Sequence, residues 1–378
     1  MQFTLEKTDS TTKARAGRVQ TAHGEILTPA FMPVGTLGTV KALTAKDVWE
    51  TGARMVLANA YHLYLRPGTE VIAEAGGIHR FAHWQGSVLT DSGGYQVFSL
   101  ADLRKTTDDG VHFKSHLDGS AHYFTAEKVI EIERAIGADI IMPLDECPPS
   151  NARPDVIEQA VRRTIAWARR SMEHLAKTSG AHGYEQSLFP IVQGGTDRVM
   201  REACARELID LSADGYAIGG LAVGEPNETM YQVTDWTTDV LPAEKPRYLM
   251  GVGTPVDLLE SIARGVDMFD CVLPTRNARN GQIFTRRGKL NMRNAKWKKD
   301  FSPIDEETNS YASKNFSKAY LAHLINSNEI LGLTLATMHN VAFYEQLVQE
   351  ARVRILNGSF SDWLPEFRHL YLSNDENS

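Results

Sequence analysis

The sequence is poor in the features of secreted and membrane proteins. Only three of its 378 residues are cysteine, and these are widely separated: Cys147, Cys204 and Cys271. An odd number of scattered thiols argues against a disulfide framework and for a reducing compartment. No apolar run reaches membrane-span length, and the first ten residues lack the basic and then apolar order of a signal peptide. We therefore expect a cytoplasmic protein that does not enter the membrane.

The chain also lacks an excess of positive charge. It has 40 Lys and Arg against 47 Asp and Glu, which leaves a net charge of -7. The protein as a whole would therefore not attract nucleic acid. An apolar fraction of 42% and a charged fraction of 23% are typical of a globular protein. Any RNA binding must depend on local basic patches.

Short apolar runs alternate with amphipathic stretches of helical length from about residue 40 to 263. This alternation predicts a parallel sheet covered by helices, either a (β/α)8 barrel or an open doubly wound sheet. No G-x-G-x-x-G follows an early strand, and polar residues follow many different apolar runs, so we predict an α/β fold of the TIM-barrel type. The predicted strands are residues 53–58, 87–89, 139–144, 188–192, 215–218, 247–250 and 268–273. The predicted helices are residues 44–51, 125–136, 153–176, 197–211 and 255–264, with starts at Thr125 and Thr254.

Two segments depart from this repeat. Alternating residues around Asp118-Gly119 predict a β-hairpin inserted near residues 111–124. Beyond Gly281 the alternation ends in a basic cluster, residues 286–299, followed by two predicted helices at 316–330 and 331–356. We predict a barrel domain, residues 1–285, and a C-terminal helical subdomain, residues 286–378, packed on it.

One acid stands out because it lies inside an apolar run. Asp270 occupies the middle of M-F-D-C-V-L, where a carboxylate must be paired, protonated or used. Arg276, Arg279 and Asn280 follow it, and we interpret them as a short cationic loop without a helical period. The combination suggests chemistry on an anionic substrate. A structural Asp that caps the loop remains an open alternative.

Other polar groups follow the remaining apolar runs, and they make a coherent inventory. Each has an ordinary explanation as a tight turn, a helix cap or a glycine loop. Together, carboxylates, a carboxamide, a tyrosine and backbone donors suit a planar heterocycle such as guanine. Converging acids also permit displacement at an anomeric carbon, one attacking and one moving the proton. These groups are Asp91, Ser92, Tyr95, Asp145, Cys147, Gln193, Gly219 and Gly220.

Five linked motifs closely resemble the bacterial tRNA-guanine transglycosylases (queuine tRNA-ribosyltransferases). They are D-S-G-G-Y-Q, D-E-C, G-G-L-A-V-G-E, Y-L-M-G-V-G and D-M-F-D-C-V-L-P-T-R-x-x-R-N-G, and the likeness extends to about Tyr371. The resemblance implies a barrel enzyme, a pentosyltransferase of queuosine biosynthesis. Such an enzyme exchanges the wobble guanine of tRNAs with a GUN anticodon for 7-aminomethyl-7-deazaguanine (preQ1). It further implies guanine and preQ1 as small-molecule substrates, and a homodimer.

Motif by motif, the resemblance also implies roles for individual residues. Asp270 corresponds to the nucleophile that forms a covalent ribosyl-enzyme intermediate, and Asp91 to a general acid/base. The residues that correspond to base recognition are Asp145, Gln193, Gly219 and Gly220, with Ser92 beside them, and those of the base sandwich are Tyr95 and Met250. Leu221 and Glu225 correspond to the loop that reads the aminomethyl group, and Cys147 and Val223 correspond to the preference for preQ1. The residues that correspond to anticodon binding are Arg276, Arg279 and Asn280.

The chain departs from the family at its structural zinc site. The family's C-x-C-x-x-C positions carry Thr308, Ser310 and Ser313 here, whereas the downstream His339 remains. Hydroxyls are poor zinc ligands, so we predict no metal and no cofactor. We expect Ser310 or Ser313 to hydrogen-bond His339 instead, with packing from Phe316, Tyr320 and Leu324. The acids at 305–307 are a weaker alternative site.

Three other functions fit parts of the pattern. A non-catalytic tRNA-binding partner subunit would not need both Asp91 and Asp270. An archaeal-type enzyme acting elsewhere in tRNA would need further RNA-binding domains. A barrel glycosidase would not need the arginines that follow Asp270.

Overall fold

The computed structural model describes residues 1–100, 104–149 and 151–375, so the last three residues of the predicted subdomain lie outside it. The strands are β1 (Gln2–Thr8), β2 (Arg15–Thr21), β3 (Gly24–Thr28), β4 (Ala30–Pro33), β5 (Met55–Asn59), β6 (Ser87–Asp91), β7 (Arg104–Thr106), β8 (Gly110–Lys114), β9 (Ala121–Thr125), β10 (Ile140–Ile141), β11 (Ser187–Leu188), β12 (Ile191–Val192), β13 (Tyr216–Ile218), β14 (Arg247–Leu249), β15 (Met268–Cys271), β16 (Gln282–Thr285) and β17 (Gly288–Asn291). The helices are α1 (Ala45–Glu50), α2 (Ala60–Leu65), α3 (Thr69–Glu74), α4 (Ile78–Phe81), α5 (Gly94–Leu100), α6 (Ala126–Ile136), α7 (Pro154–Lys177), α8 (Arg198–Ile209), α9 (Asn227–Val240), α10 (Pro255–Ala263), α11 (Leu273–Arg279), α12 (Tyr311–Asn315), α13 (Lys318–Asn326), α14 (Ile330–Asn357) and α15 (Phe360–Asp375), with a 3₁₀ helix at Ala295–Lys299.

The centre of the fold is built from parallel strands, which confirms the predicted α/β class. One sheet has the order β11-β10-β6-β5 and the other β12-β13-β14-β15-β4. A parallel bridge between Val34 and Leu57 joins the end of β4 to β5. The predicted strand 188–192 is divided into β11 and β12 by Pro190, which has no backbone N–H to donate. Likewise, only Ile140–Ile141 of the predicted strand 139–144 is regular.

The strand interior and the helix layer are both apolar. Alternate residues of the parallel strands form a buried cluster that includes Met32, Leu89, Phe189 and Tyr248. Helices pack on the outer face; α6, for example, begins where Thr125 accepts from Lys128 N and ends at the left-handed Gly137. Thr254 caps α10 in the same way, so both predicted helix starts are confirmed. None of the described helices is long and apolar enough to cross a bilayer.

The inserted hairpin is present and larger than predicted. Strands β8 and β9 pair antiparallel around the Asp118-Gly119 turn, and Gly119 adopts a φ of +75° that favours glycine. A third strand, β7, pairs with β8 and completes a three-stranded sheet. The insertion is therefore a three-stranded antiparallel sheet that follows β6 and α5 in the chain.

The C-terminal region confirms helices and corrects their bounds. The predicted helix 316–330 is shorter, because Ser317 caps α13 and Asn328 breaks the chain direction with a φ of +56°. Helices α12 and α15 were not predicted. The long α14 packs against α11, β16 and the N-terminal strands, and its buried Arg352 donates to the carbonyl oxygens of Gly17 and Thr28. The helix thus ties the C-terminal region to the N-terminal sheet.

Candidate active site

Most of the predicted site residues meet at one cavity of 450 Å³. It lies at the carboxyl ends of the parallel strands, because Asp91 ends β6, Gln193 follows β12 and Gly219 follows β13. A cavity of this size can enclose a small ligand. The predicted residues that line it are Asp91, Tyr95, Asp145, Cys147, Gln193, Gly219, Gly220, Leu221, Val223, Met250, Asp270 and Arg276.

Asp270 presents one occupied oxygen and one open oxygen. Its Oδ1 accepts from the Tyr248 hydroxyl at 2.6 Å and from Gly251 N at 2.7 Å. No hydrogen bond from the described residues reaches Oδ2. Removal from water raises the pKa of Asp270 above its ordinary value, and the two donors oppose that rise. The carboxyl group is thus held in one orientation with Oδ2 available to a ligand.

Asp91 is a buried acid poised between its two protonation states. Its Oδ2 accepts from Asn59 Nδ2 at 3.0 Å. Burial, followed by the charges of Asp145 and Asp270, raises the pKa of Asp91 to about 7. An acid with this pKa can give and take a proton near neutral pH, which is what general acid/base catalysis requires.

Asp145 and Gln193 form a hydrogen-bonded pair in the cavity wall. Gln193 Nε2 donates to Asp145 Oδ2 at 2.7 Å, and burial raises the pKa of Asp145 to about 6. Gln193 Oε1 is buried and has no hydrogen-bond partner among the described residues. A Cβ at Gly220 would lie 2.4 Å from that oxygen, and Gly220 has a φ of +65°. Glycine is therefore required for the backbone to approach this close.

The segment after β13 is braced from both sides. Glu225 accepts from Ala222 N at 2.5 Å and from Val223 N at 3.1 Å. From the protein interior, the fully buried Arg201 donates to the carbonyl oxygens of Gly195, Val192 and Gly220. Glu225 does not line the cavity in this conformation, because its carboxylate is engaged by the backbone.

Of four further predicted residues, one serves the local structure and three line the cavity. Ser92 is fully buried, and its Oγ accepts from Gly94 N at 3.2 Å rather than lining the cavity. Tyr95 and Met250 both line the cavity, and Tyr95 is 52% exposed, so its ring is open to a ligand. Burial raises the pKa of Cys147 to about 12, so its thiol stays neutral and unreactive.

The interpretation of Arg276, Arg279 and Asn280 as a loop is wrong. Leu273–Arg279 form α11, with Pro274 in the first turn and Asn280 as the C-cap. Seven residues are too few to display a helical period, and proline is favoured in a first turn. Arg276 is exposed and lines the cavity, whereas Arg279 donates to Thr275 O at 2.7 Å and Asn280 lies outside the lining.

The basic cluster at 286–299 is partly neutralised. Arg286 pairs with Glu350, and Arg287 Nε lies 3.1 Å from Glu307 Oε1. Lys296 lies over the Trp297 ring at 4.7 Å. Because both arginines are paired with glutamates, they are less available for a contact with RNA phosphates.

The residues at the family's zinc position do not fit that metal. Ser313 Oγ lies 2.9 Å from His339 Nδ1, and His339 Nε2 lies 2.8 Å from Phe284 O. A carbonyl only accepts, so Nε2 carries the proton and Nδ1 accepts from Ser313. Both ring nitrogens are thus occupied, and Thr308 donates to Asp305 instead. The predicted hydrogen bond from Ser313 is present; Ser310 instead caps α12.

The predicted packing around this position holds in part. Leu324 belongs to a buried apolar cluster, and Phe316 is partly buried against it. Tyr320 is 40% exposed and stacks on Phe316 rather than entering the core. This apolar cluster joins α13 to α14.

Sequence reasoning missed several lining residues. Asn59 holds Asp91 and Tyr248 holds Asp270, while His62 and Gln96 complete the wall. Asn59 ends β5, so the rule that found Asp91 at the end of β6 could have found it. Tyr248 lies inside β14, and no pattern in the sequence predicted that its hydroxyl would donate a hydrogen bond to Asp270.

Comparison with known proteins shows the family of the chain. The family model described as queuine tRNA-ribosyltransferase matches residues 9–373. A protein named queuine tRNA-ribosyltransferase from Caldanaerobacter subterraneus subsp. tengcongensis is 53% identical over 376 residues, covering 100% of this chain and 99% of its own length. Proteins of the same name from Thermoanaerobacter pseudethanolicus and Pelotomaculum thermopropionicum are each 52% identical, covering 98% of this chain and 98% and 99% of their own lengths.

The fold and the acid-lined cavity are those of a glycosyl-transferring enzyme. The chain belongs to the queuine tRNA-ribosyltransferase family. The resemblance inferred from its motifs is confirmed.

Proposed function

We propose that the protein is a tRNA-guanine transglycosylase that replaces the wobble guanine of GUN anticodons with preQ1. Its relatives are named queuine tRNA-ribosyltransferases, and the cavity offers the donors and acceptors that a guanine requires. Asp145, with Gln193 and Gly220, would bind the base, and Tyr95 and Met250 would cover its faces. The target base must leave its stack to reach such a cavity. We place this activity in the cytoplasm and propose a homodimer.

The mechanism is supported by the hydrogen bonds of Asp270, which leave its Oδ2 open, and by the raised pKa of Asp91. Oδ2 of Asp270 attacks C1′ of the ribose, and the bond from C1′ to the guanine nitrogen breaks. The protonated Asp91 carboxyl gives its proton to the leaving guanine. The incoming base then loses a proton to Asp91, its nitrogen attacks C1′, and the bond from C1′ to Asp270 breaks. Two inversions give net retention.

The proposed architecture is a closed (β/α)8 barrel of residues 1–285 carrying the C-terminal subdomain. Closure is supported by the pairing of β15 with β4 and by the Val34–Leu57 bridge. Continuity between β11 and β12 is supported by two hydrogen bonds, Phe189 N to Ile141 O and Ala217 N to Pro190 O. A barrel places the active site at the carboxyl ends of the strands.

The test is exchange of radiolabelled guanine into an anticodon stem-loop with a GUN sequence. Wild type should exchange guanine, and unlabelled preQ1 should suppress the incorporation. Asp270→Asn should lose exchange yet still bind RNA, whereas Asp155→Asn, whose side chain is 68% exposed on α7, should retain it. An active Asp270→Asn enzyme would exclude Asp270 as the nucleophile. An inactive wild type that binds the stem-loop would favour a partner subunit.

A further inference from the structure

A second cluster of metal-ligating side chains lies away from the cavity. His23, His79 and Asp139 bring one ligand atom each to within 4.8 Å of one another. His23 lies in the turn between β2 and β3, His79 in α4, and Asp139 directly before β10. Because Asp139 precedes its strand, the cluster lies at the amino ends of the parallel strands. The candidate active site lies at their carboxyl ends.

The carboxylate of Asp139 is oriented by backbone donors. Its Oδ2 accepts from Val88 N at 2.9 Å, and its Oδ1 accepts from His23 N at 3.2 Å. The imidazoles approach the same carboxylate, with His23 Nδ1 2.8 Å from Oδ1 and His79 Nε2 3.2 Å from Oδ2. Support of this kind from outside the ligand set is what orients metal ligands in proteins.

The burial of His79 without hydrogen bonds points to a missing ligand. His79 is 8% exposed, yet neither ring nitrogen makes a hydrogen bond with the described residues. Its Nε2 lies within hydrogen-bond distance of Asp139 Oδ2, but the geometry is not that of a hydrogen bond. Burying imidazole nitrogens without hydrogen bonds costs free energy, so such a group calls for an additional partner. A metal ion on Nε2 would supply one.

The spacing and the ligand types fit a tetrahedral divalent ion. Zinc held by two imidazoles and a carboxylate at usual bond lengths separates its ligand atoms by about 3.4 Å. His23 Nδ1 lies 2.8 Å from Oδ1 of Asp139 and His79 Nε2 lies 3.2 Å from Oδ2, and one ligand atom from each residue lies within 4.8 Å of the others, so these atoms must shift to reach that spacing. The rings of His23 and His79 are stacked 3.5 Å apart, so binding requires them to tilt until their nitrogens converge. The side chain of His23 is 24% exposed, which leaves a path for the ion and for a water as fourth ligand.

We propose that His23, His79 and Asp139 form a binding site for a divalent transition metal, with zinc preferred by its ligand types. The bound ion joins the β2–β3 turn to α4 and β10, three segments far apart in sequence. Its role is structural, because the amino ends of the strands in such folds serve stability rather than chemistry. The inference is independent of the proposed exchange reaction.

The experiment is a zinc titration of untagged, chelator-treated full-length protein, followed by calorimetry and by thermal unfolding. We expect one zinc per chain and a higher melting temperature with zinc. His79→Ala and His23→Ala should each lower the affinity at least about 100-fold, since even supporting residues cost about 10–100-fold. The matched control is His182→Ala, a nearby histidine that contacts Ala135 O and does not belong to the cluster. It should bind zinc as wild type does.

Cobalt substitution in the wild type keeps the proposal testable if a variant fails to fold. We expect the visible bands of tetrahedral cobalt without a sulfur charge-transfer band, because the ligands are nitrogen and oxygen. The absence of stoichiometric zinc binding would overturn the proposal. So would a sulfur band, or unchanged zinc affinity in folded His79→Ala protein, which would move the ion to a cysteine or to His339. Guanine exchange should be the same with and without zinc, which separates this test from that of the enzymatic function.

Discussion

Replacing Asp91 by asparagine should stabilise the fold while removing catalysis. The pKa of Asp91 is about 7 in the folded protein, against an ordinary value of 3.8 in the unfolded chain. The unfolded state therefore ionises first, and stability falls as the pH rises from about 4 to about 7. Linkage puts this loss at about 2 kcal/mol at pH 5 and about 4 kcal/mol at pH 8. Asparagine escapes this loss because an amide does not ionise, and Asn59 Nδ2 can still donate to its oxygen.

The assay is urea unfolding of wild type and Asp91→Asn at pH 5 and pH 8. The stability advantage of the variant should grow by about 2–3 kcal/mol between these pH values, by the same linkage. Asp155→Asn, at an exposed position, should show no such growth. An Asp91→Asn advantage that stays flat with pH would refute the argument that burial and neighbouring carboxylates hold this acid partly protonated. Exchange activity should fall about 10²–10⁴-fold in the variant, the usual contribution of a general acid/base.

Three other substitutions test individual contacts. Tyr248→Phe removes one of the two hydrogen-bond donors to Asp270. Because a hydrogen bond to a charged group contributes about 1.5–3 kcal/mol, the variant should lower kcat about 10–100-fold with little change in KM for RNA. An unchanged kcat would contradict this role of Tyr248. Ser313→Ala leaves the buried Nδ1 of His339 without its donor and should destabilise the protein by about 1–3 kcal/mol in urea unfolding, whereas unaltered stability would mean that the bond contributes nothing. Arg276→Ala should raise KM for the stem-loop and weaken its salt dependence without affecting the binding of free guanine; equal salt dependence in both proteins would argue against an RNA contact.

Local patterns in the sequence predicted much of the fold. The alternation of apolar runs and amphipathic stretches indicated parallel strands and helices, and the caps at Thr125 and Thr254 were found as expected. The predictions failed where one residue outweighed the pattern or where a helix was too short to show one. Pro190 divided an apolar run that looked continuous, and α11 was too short for its period to be visible.

The candidate site was predicted less completely, because its geometry depends on partners distant in sequence. Asp91 and Asp145 were recognisable at the ends of apolar runs and Asp270 inside one, and the structure brings all three to one cavity. Nothing in the sequence indicated that Tyr248 and Gly251 would occupy one oxygen of Asp270 and leave the other open. That asymmetry arises from the pairing of β14 with β15.

By itself, the sequence determined the α/β class, the acids at the strand ends and the family, because these depend on residue type, local spacing and motif order. Only the tertiary structure decided how each acid is held and protonated, because desolvation and hydrogen bonding depend on which atoms surround a group. The same holds for His23, His79 and Asp139, which lie up to 116 residues apart and meet only when the N-terminal turn packs beneath the strands. A cluster assembled by packing has no pattern in the linear chain.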